Sequence, residues 1–147
     1  MARPTVLFLC TGNSCRSQMA EGFARSLKSS EIEAYSAGVE RHGLNPDAVR
    51  VMAEAGVDIS GQSSKTVDEL PSLRFDYVVT LCGHASENCP FFPGATKRLH
   101  VGFDDPPSLA KNAKNEEERL APYRTVRDAI RRFVEAMPGN LQTGNRQ

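Results

Sequence analysis

The stretch TVLFLCTGNSCRSQMAEG, residues 5–22, decides the fold. Its first six residues are a short, continuous apolar run, which is typical of a strand buried on both faces of a parallel sheet. A polar loop that contains Gly12 follows. Apolar residues then recur at the spacing of one helix face, at Met19, Phe23 and Leu27. The stretch therefore predicts a buried strand, a tight loop and an amphipathic helix.

Segments typical of strands and helices alternate through the rest of the chain. Further strands are predicted at residues 33–38, 75–82 and 97–103. Helices are predicted from Pro46 to just before Gly56, in a short piece at 66–70, and over residues 115–137. This alternation predicts a three-layer α/β sandwich with a four-stranded parallel sheet.

Two further expectations concern the end of the chain. Pro122 lies inside the last predicted helix, and we expect it to break or kink the first part of that helix. We see no linker or internal repeat, so we expect a single domain over residues 1–147 with a flexible tail at 138–147.

The composition argues against several classes of partner. The chain has 18 basic and 18 acidic residues among 147, a net charge of zero, which disfavours nucleic acid or an anionic membrane as the main partner. No apolar run is long enough for a transmembrane helix, and the first residues lack a signal-peptide cleavage site. Four cysteines are too few for a secreted disulfide scaffold and indicate metal binding, catalysis or redox chemistry. We therefore expect a cytoplasmic monomer.

The loop after the first strand has the features of an oxyanion site. Cys10 ends that strand, and ligands of parallel α/β sheets bind beyond the carboxyl ends of the strands. Backbone N–H groups of the loop and the start of the next helix can hold an anion, and Arg16 can add a bidentate fork. Cys10 would then be a thiolate nucleophile with Ser17 as a hydrogen-bond donor. The candidate substrate-binding residues are Thr11, Gly12, Asn13, Ser14, Cys15, Arg16 and Ser17.

This loop also has simpler interpretations. Cys10 alone would be an inert buried cysteine before an ordinary turn. A zinc site from Cys10 and Cys15 is disfavoured, because a structural zinc site needs a second such pair, and Cys82 and Cys89, with six residues between them, do not supply it. Cys15 is better explained as a small buried residue, and His42, His84 and His100 do not cluster as metal ligands. We predict no metal site.

Three residues outside the loop are further catalytic candidates. Cys82 ends the predicted third strand, so a disulfide with Cys10 is within reach if the two strands are adjacent and the loops adjust. Cys89 follows in a segment that Gly83, Asn88 and Pro90 make a poor helix and hence movable. Asp105 could protonate a leaving oxygen. Alternatively, Cys82 and Cys89 are small buried residues with no catalytic role. Asp105 could likewise belong to a solvated turn, or Asp104 could be the acid in its place.

The motifs CTGNSCRSQMAEG, DIS, VVTLCGHASENCP and GFDDP resemble the thioredoxin-coupled arsenate reductases, which are similar to low-molecular-weight protein tyrosine phosphatases. The resemblance covers about residues 4–137. It implies that Cys10 attacks arsenate held by the loop and Arg16, and that Asp105 protonates the departing oxygen. Cys82 then releases arsenite and forms a disulfide with Cys10, and Cys89 converts it to a Cys82–Cys89 disulfide that thioredoxin reduces. Thioredoxin is thus implied as external reductant, with no bound cofactor.

Departures from the related families leave alternatives open. Several family members hold potassium through equivalents of Asn13, Glu21 and Ser36 plus an acidic residue. Here that last position is Lys65, so we expect that potassium is not bound and that the lysine ammonium lies beside Glu21. Tyrosine phosphatases usually carry an aromatic residue where this chain has Pro107. A tyrosine phosphatase, and a non-catalytic redox sensor or oxyanion-binding module, remain the alternatives to an arsenate reductase.

Overall fold

A computed structural model of the chain describes residues 3–71, 74–87, 89 and 96–142. Four strands form one sheet in the order β2-β1-β3-β4, and all three pairings are parallel. The strands are β1 (Thr5–Cys10), β2 (Glu33–Gly38), β3 (Tyr77–Thr80) and β4 (Lys97–His100). The predicted four-stranded parallel sheet of an α/β fold is confirmed.

The apolar run of β1 makes it a central strand. It pairs with a neighbour on each side, and its residues from Val6 to Cys10 are all buried. Its register sets Cys10 opposite Gly38 of β2 and Leu9 opposite Thr80 of β3. Because parallel strands end at the same edge, the loops after β1 and β3 meet there.

Six helices and one 3₁₀ turn accompany the sheet in the described part of the chain. They are α1 (Arg16–Leu27), α2 (Pro46–Glu54), the 3₁₀ turn (Val67–Glu69), α3 (Gly83–Glu87), α4 (Pro106–Leu109), α5 (Glu116–Glu135) and α6 (Gly139–Gln142). Helix α1 packs on α5, and α5 also packs on α2. Within the described residues, no helix combines the length and apolarity that crossing a membrane requires.

The first two helices follow their sequence signals closely. Met19 and Phe23 of α1 are fully buried, whereas Leu27 is 38% exposed because the helix ends there and its last turn leaves the core. Leu27 thus belongs to the predicted helix but lies outside its buried part. Helix α2 has Pro46 in its first turn, and Gly56 follows its end with a φ of +83°, a conformation that glycine adopts without strain.

Other predictions need correction. β3 and β4 are shorter than the apolar runs suggested, because the residues after Thr80 and His100 leave the sheet as loops. Helix α5 continues through Pro122 without a break, since the hydrogen bond lost at proline is offset by burial of Leu120, Tyr123 and Val126.

Two segments expected to lack helix contain short ones. Helix α3 occupies the segment after Cys82, where a poor helix was expected. Helix α6 lies in the predicted flexible tail, and its Leu141 is fully buried, so that expectation is wrong for residues 139–142. Residues 143–147 lie outside the described part of the chain.

Candidate active site

The loop after β1 directs its carbonyl groups away from a cleft. Four of them accept hydrogen bonds from the segment after β2: Val39 N to Cys10 O (3.1 Å), Glu40 N to Thr11 O (2.8 Å), His42 N to Gly12 O (3.0 Å) and Asn45 N to Ser14 O (3.0 Å). The carbonyl of Asn13 accepts from Gln18 Nε2 at 3.0 Å. The close approach of the two segments requires Gly38, because a Cβ there would lie 2.7 Å from Asn13 N.

The same geometry leaves the N–H groups of the loop available to a ligand. The C=O and N–H of a trans peptide point in opposite directions, so the N–H groups of this loop turn away from the partners of its carbonyl groups, and Gly12, Ser14 and Cys15 line the cleft. In the described chain no protein group accepts a hydrogen bond from them. They lie at the amino end of α1, where the helix dipole also favours negative charge. We call residues 10–17 the cradle.

The cradle supports the Cys10 sulfur through a buried hydrogen-bond chain. Cys10 is 3% exposed, and its Sγ lies 3.0 Å from Ser17 Oγ. Asn13 Nδ2 donates to Ser17 Oγ at 2.8 Å, so the Ser17 hydroxyl can direct its own proton to the sulfur. The Asn13 amide is oriented by its Oδ1, which accepts from Lys65 N at 2.9 Å. Asn13 also has a φ of +49°, which asparagine tolerates better than most residues.

Arg16 and Asp105 meet across the cleft. Arg16 Nη1 donates to the carbonyl of Phe103 at 2.8 Å, and its Nη2 lies 3.4 Å from Asp105 Oδ1. Ser108 Oγ donates to the other Asp105 oxygen at 2.7 Å. Asp105 lines the cleft, whereas Asp104 is exposed beside it. The structure thus brings the predicted acid, and not its alternative, to the predicted oxyanion fork.

The second cysteine lies next to the cradle. β1 and β3 are adjacent, as a Cys10–Cys82 pairing would require, and Cys82 follows the end of β3. Its Sγ lies 3.2 Å from Thr11 Oγ1, and Ala85 N donates to it at 3.5 Å. Cys82 is 8% exposed. Its sulfur is thus held against the first loop residue by one hydroxyl contact and one long backbone bond.

The remaining two cysteines differ from each other in environment. Cys89 follows α3, is half-buried and packs against the core. Cys15 is buried, lines the cleft and is the residue before α1. Burial raises the pKa of the Cys15 thiol, and the nearby Cys10 raises it further. Both causes favour the protonated thiol of Cys15, and no disulfide joins it to Cys10.

Sequence reasoning missed several residues that build the site. Gln18 is fully buried and joins Asn13 to the 61–65 segment through its bond to Ser63 O at 3.0 Å. Asn45 caps α2 with its Oδ1, donates its backbone N–H to Ser14 O, and donates Nδ2 to Tyr123 Oη at 3.2 Å. Burial is the main cause that raises the pKa of Tyr123. The asparagine before Pro46 was a readable cap signal, but its contact with Tyr123 was not.

His42 is a further residue at the cleft that the sequence did not single out. It was expected to be solvated or packed, and its side chain is indeed 50% exposed, but it also lines the cleft. Its Nε2 lies 2.7 Å from Glu40 Oε1. A lone histidine with no metal-ligand spacing gives no sequence signal for this position.

The residues implied as a potassium site do not fit that ion. Asn13 turns its Nδ2, a donor, toward Ser36 Oγ at 3.0 Å, so no amide oxygen faces the serine. The Ser36 hydroxyl donates directly to Glu21 Oε1. The other carboxylate oxygen of Glu21 pairs with Arg25 Nη2 at 2.8 Å. A cation needs several oxygen ligands turned toward it, and these groups bond to one another instead.

Lys65 lies near enough to Glu21 to feel its charge, as expected, but the two side chains do not form an ion pair. Its Nζ donates to Ser63 O at 2.8 Å, and Arg25 is the cation that pairs with Glu21. Burial lowers the pKa of Lys65. Arg25 forms the direct ion pair with Glu21 because it follows Glu21 by one helix turn, whereas the Glu21 carboxylate acts on Lys65 by raising its pKa against the effect of burial. The absence of potassium binding stays a prediction.

Comparisons with known proteins point to one family. A family model described as low molecular weight phosphotyrosine protein phosphatase matches residues 5–144. Among curated relatives, the arsenate reductase of Halalkalibacterium halodurans is 52% identical over 130 residues, which cover 88% of this chain and 91% of the relative. The arsenate reductase of Bacillus subtilis has the same identity and coverage.

Solved structures are similar over nearly the whole chain. A structure described as an arsenate reductase in the phosphate binding state has a TM-score of 0.74 at 32% identity, covering 94% of this chain and 98% of that chain. A low molecular weight protein tyrosine phosphatase from T. tengcongensis has a TM-score of 0.70 at 28% identity, covering 94% and 99%.

Proposed function

The chain belongs to the low molecular weight phosphotyrosine protein phosphatase family, and we propose that it reduces arsenate to arsenite by a three-cysteine relay that thioredoxin recycles. The observation that carries the proposal is the place of Cys82, whose sulfur lies 3.2 Å from the hydroxyl of Thr11 in the cradle. A phosphatase needs only a nucleophile, an oxyanion site and an acid. A second thiol beside them supplies the electrons that a reductase needs. The relatives that are 52% identical are named arsenate reductases.

The first step forms a sulfur–arsenic bond. Arsenate binds to the N–H groups of residues 12–15 and to Arg16, and the Cys10 thiolate attacks arsenic. The bond between arsenic and one oxygen breaks. Asp105 supplies the proton with which that oxygen leaves as water. Arsenic is still As(V) in the Cys10 adduct.

The second step transfers electrons between sulfur and arsenic. The Cys82 sulfur, as thiolate after losing its proton to solvent, attacks the Cys10 sulfur. The sulfur–arsenic bond breaks and its electron pair stays on arsenic, which leaves as arsenite, As(III). The two sulfurs have lost two electrons in total and form the Cys10–Cys82 disulfide.

The third step moves the disulfide away from the cradle. The Cys89 thiolate attacks Cys82, Cys10 leaves as a thiolate ready for another cycle, and Cys82–Cys89 becomes the disulfide. The two cysteines flank α3, a helix of five residues, which has little intrinsic stability and can rearrange at low cost. The dithiol of thioredoxin then reduces the disulfide and is itself oxidised.

The experiment that tests the proposal is arsenate turnover with thioredoxin, its reductase and NADPH. Cys82→Ser and Cys89→Ser should each reduce multiple turnover to background, whereas the control Arg41→Ala should keep it, because Arg41 pairs with Glu69 and does not line the cleft. Turnover by Cys82→Ser at the rate of the unmodified protein would contradict the relay. Replacing thioredoxin with glutathione or mycothiol systems tests the choice of reductant.

A phosphatase activity is a second candidate, favoured by the pairing of Arg16 and Asp105 at 3.4 Å across the Cys10 cleft. These three groups suffice for attack on a phosphate ester and protonation of its leaving group. We propose that this phosphatase activity is weak, because the chain has Pro107 at the position where an aromatic residue would pack on the ring of a phosphotyrosine substrate. Cys82→Ser should retain it, and Cys10→Ser should lose it.

A further inference from the structure

The cleft is lined by residues of the cradle and by three residues of other segments, and we call the part lined by His42, Asp105 and Pro107 the mouth. The backbone N–H groups of the cradle suit any tetrahedral oxyanion. His42, Asp105 and Pro107 complete a cleft of about 300 Å³. In a free oxyanion the fourth substituent is an oxygen, and in an ester it is an organic group that must extend through the mouth. The mouth therefore decides whether esters reach Cys10.

His42 is fixed against the cradle by backbone and ring contacts. Its N–H donates to Gly12 O at 3.0 Å. Its ring lies directly on Gly12, because a Cβ at residue 12 would come within 2.2 Å of His42 Nδ1 and 2.5 Å of its Cγ. Glycine at position 12 is thus what lets the ring approach the cradle. The ring cannot move inward, because backbone already fills that side.

Glu40 restrains the same ring from its outer side. The Nε2 of His42 lies 2.7 Å from Glu40 Oε1, and since a carboxylate only accepts, the nitrogen donates. Glu40 is itself tied to the cradle, because its N–H donates to Thr11 O at 2.8 Å. Moving the imidazole aside for a bulky substituent would break this hydrogen bond, which joins side chains that are 50% and 60% exposed and is therefore a modest restraint added to the contact with Gly12.

We propose that His42, held by Glu40, is a specificity-determining residue that narrows the mouth so that inorganic oxyanions reach Cys10 and aryl esters bind poorly. The inference rests on the proposed function, since it concerns the choice of substrate at the same site. A fixed side chain in the path of the unwanted substituent is an effective way to reject it. Pro107, with its rigid ring, lines the same mouth.

The test measures binding without turnover. In a Cys10→Ser background, titration calorimetry gives Kd for inorganic phosphate and for phenyl phosphate. His42→Ala should lower the ratio of the phenyl phosphate Kd to the phosphate Kd at least about tenfold, with the phosphate Kd changing less than about threefold. Glu40→Ala, which keeps the imidazole but frees it, should lower the ratio about threefold. If His42→Ala does not fold, the Glu40→Ala variant still tests the role of His42.

The matched control is Arg41→Ala in the same segment. Arg41 pairs with Glu69 at 2.8 Å and does not line the cleft, so the ratio should not change. An unchanged ratio in His42→Ala would overturn the inference. An equal rise of both Kd values would also overturn it, because His42 would then bind the oxyanion and not select it.

Failure of this inference and failure of the reductase proposal are separable. The binding ratio depends on the cradle and the mouth and needs neither Cys82, Cys89 nor thioredoxin. A chain that does not cycle arsenate but shows the expected ratios would refute the relay and leave the role of His42 intact.

Discussion

The cradle and the segment from Cys82 to Cys89 flank the same sheet edge but are built in opposite ways. In the cradle, Asn13 and Ser17 are fully buried, and the five carbonyl groups from Cys10 to Ser14 all accept hydrogen bonds from other residues of the chain. The Cys82 sulfur has one hydroxyl contact and one long backbone bond, and α3 has only five residues. This difference in structure matches the different roles that we propose for the two regions. Binding an oxyanion requires preorganised donors, and passing a disulfide requires a thiol that can move.

The largest effect is expected from breaking the oxyanion fork of the cradle. Arg16→Lys keeps the charge but loses the planar pair of donors and the bond to Phe103 O, so kcat/KM for arsenate should fall roughly 100- to 1,000-fold. Steady-state kinetics with the thioredoxin system measures it. Arg41→Lys, a change on the surface, is the control. A loss smaller than about threefold would mean that Arg16 does not hold the substrate.

The acid at the cleft should have the next largest effect. Asp105→Asn cannot protonate the leaving oxygen, so kcat should fall roughly 100-fold while phosphate still binds. Asp104→Asn is a matched control, because Asp104 is exposed beside the cleft. An equal loss of kcat in the two variants would contradict the assignment of Asp105 as the acid, because its place in the cleft would then have no effect on catalysis.

Removing the support of the cradle should affect stability as well as binding. Asn13→Ala leaves the buried hydroxyls of Ser17 and Ser36 without their donor, and the free energy of unfolding should fall by about 3 kcal/mol. Urea denaturation measures it, with the exposed Asn112→Ala as control. Asn13→Gly relieves the positive φ and should recover only a small part of the loss. Full recovery would assign the effect to backbone strain.

The smallest effect is expected at the contact between the two regions. Thr11→Val keeps the shape of the side chain but removes the hydroxyl beside Cys82, so formation of the first disulfide should slow about three- to tenfold. Quenched single-turnover measurements follow this step. Thr11→Ser should restore the rate, because it keeps a hydroxyl. An equal slowing in Thr11→Ser would assign the effect to packing.

The sequence predicted the parts of the site that are local. The apolar run before Cys10, the glycine-containing loop and the helix that follows are encoded in consecutive residues. The structure brings Cys10, Arg16, Asp105 and Cys82 to one edge because strand ends can be read from apolar patterns and parallel strands end together.

The parts that the sequence did not predict depend on contacts between distant residues. His42 reaches the cradle only because Gly12 has no side chain, and Arg16 is oriented by a carbonyl 87 positions away at Phe103. Helix α5 tolerates Pro122 because the burial of its neighbours offsets one hydrogen bond. Local propensity carries none of this information, since tertiary packing determines each case.

The most direct test of the relay is mass mapping of disulfides after one equivalent of arsenate is mixed with the reduced protein in the absence of reductant. The account predicts release of arsenite, loss of two hydrogen masses and a disulfide that maps to Cys82 and Cys89, with Cys10 and Cys15 still alkylated as thiols. In Cys89→Ser the disulfide should instead map to Cys10 and Cys82. Release of arsenite with Cys82 and Cys89 both remaining as thiols would contradict the account.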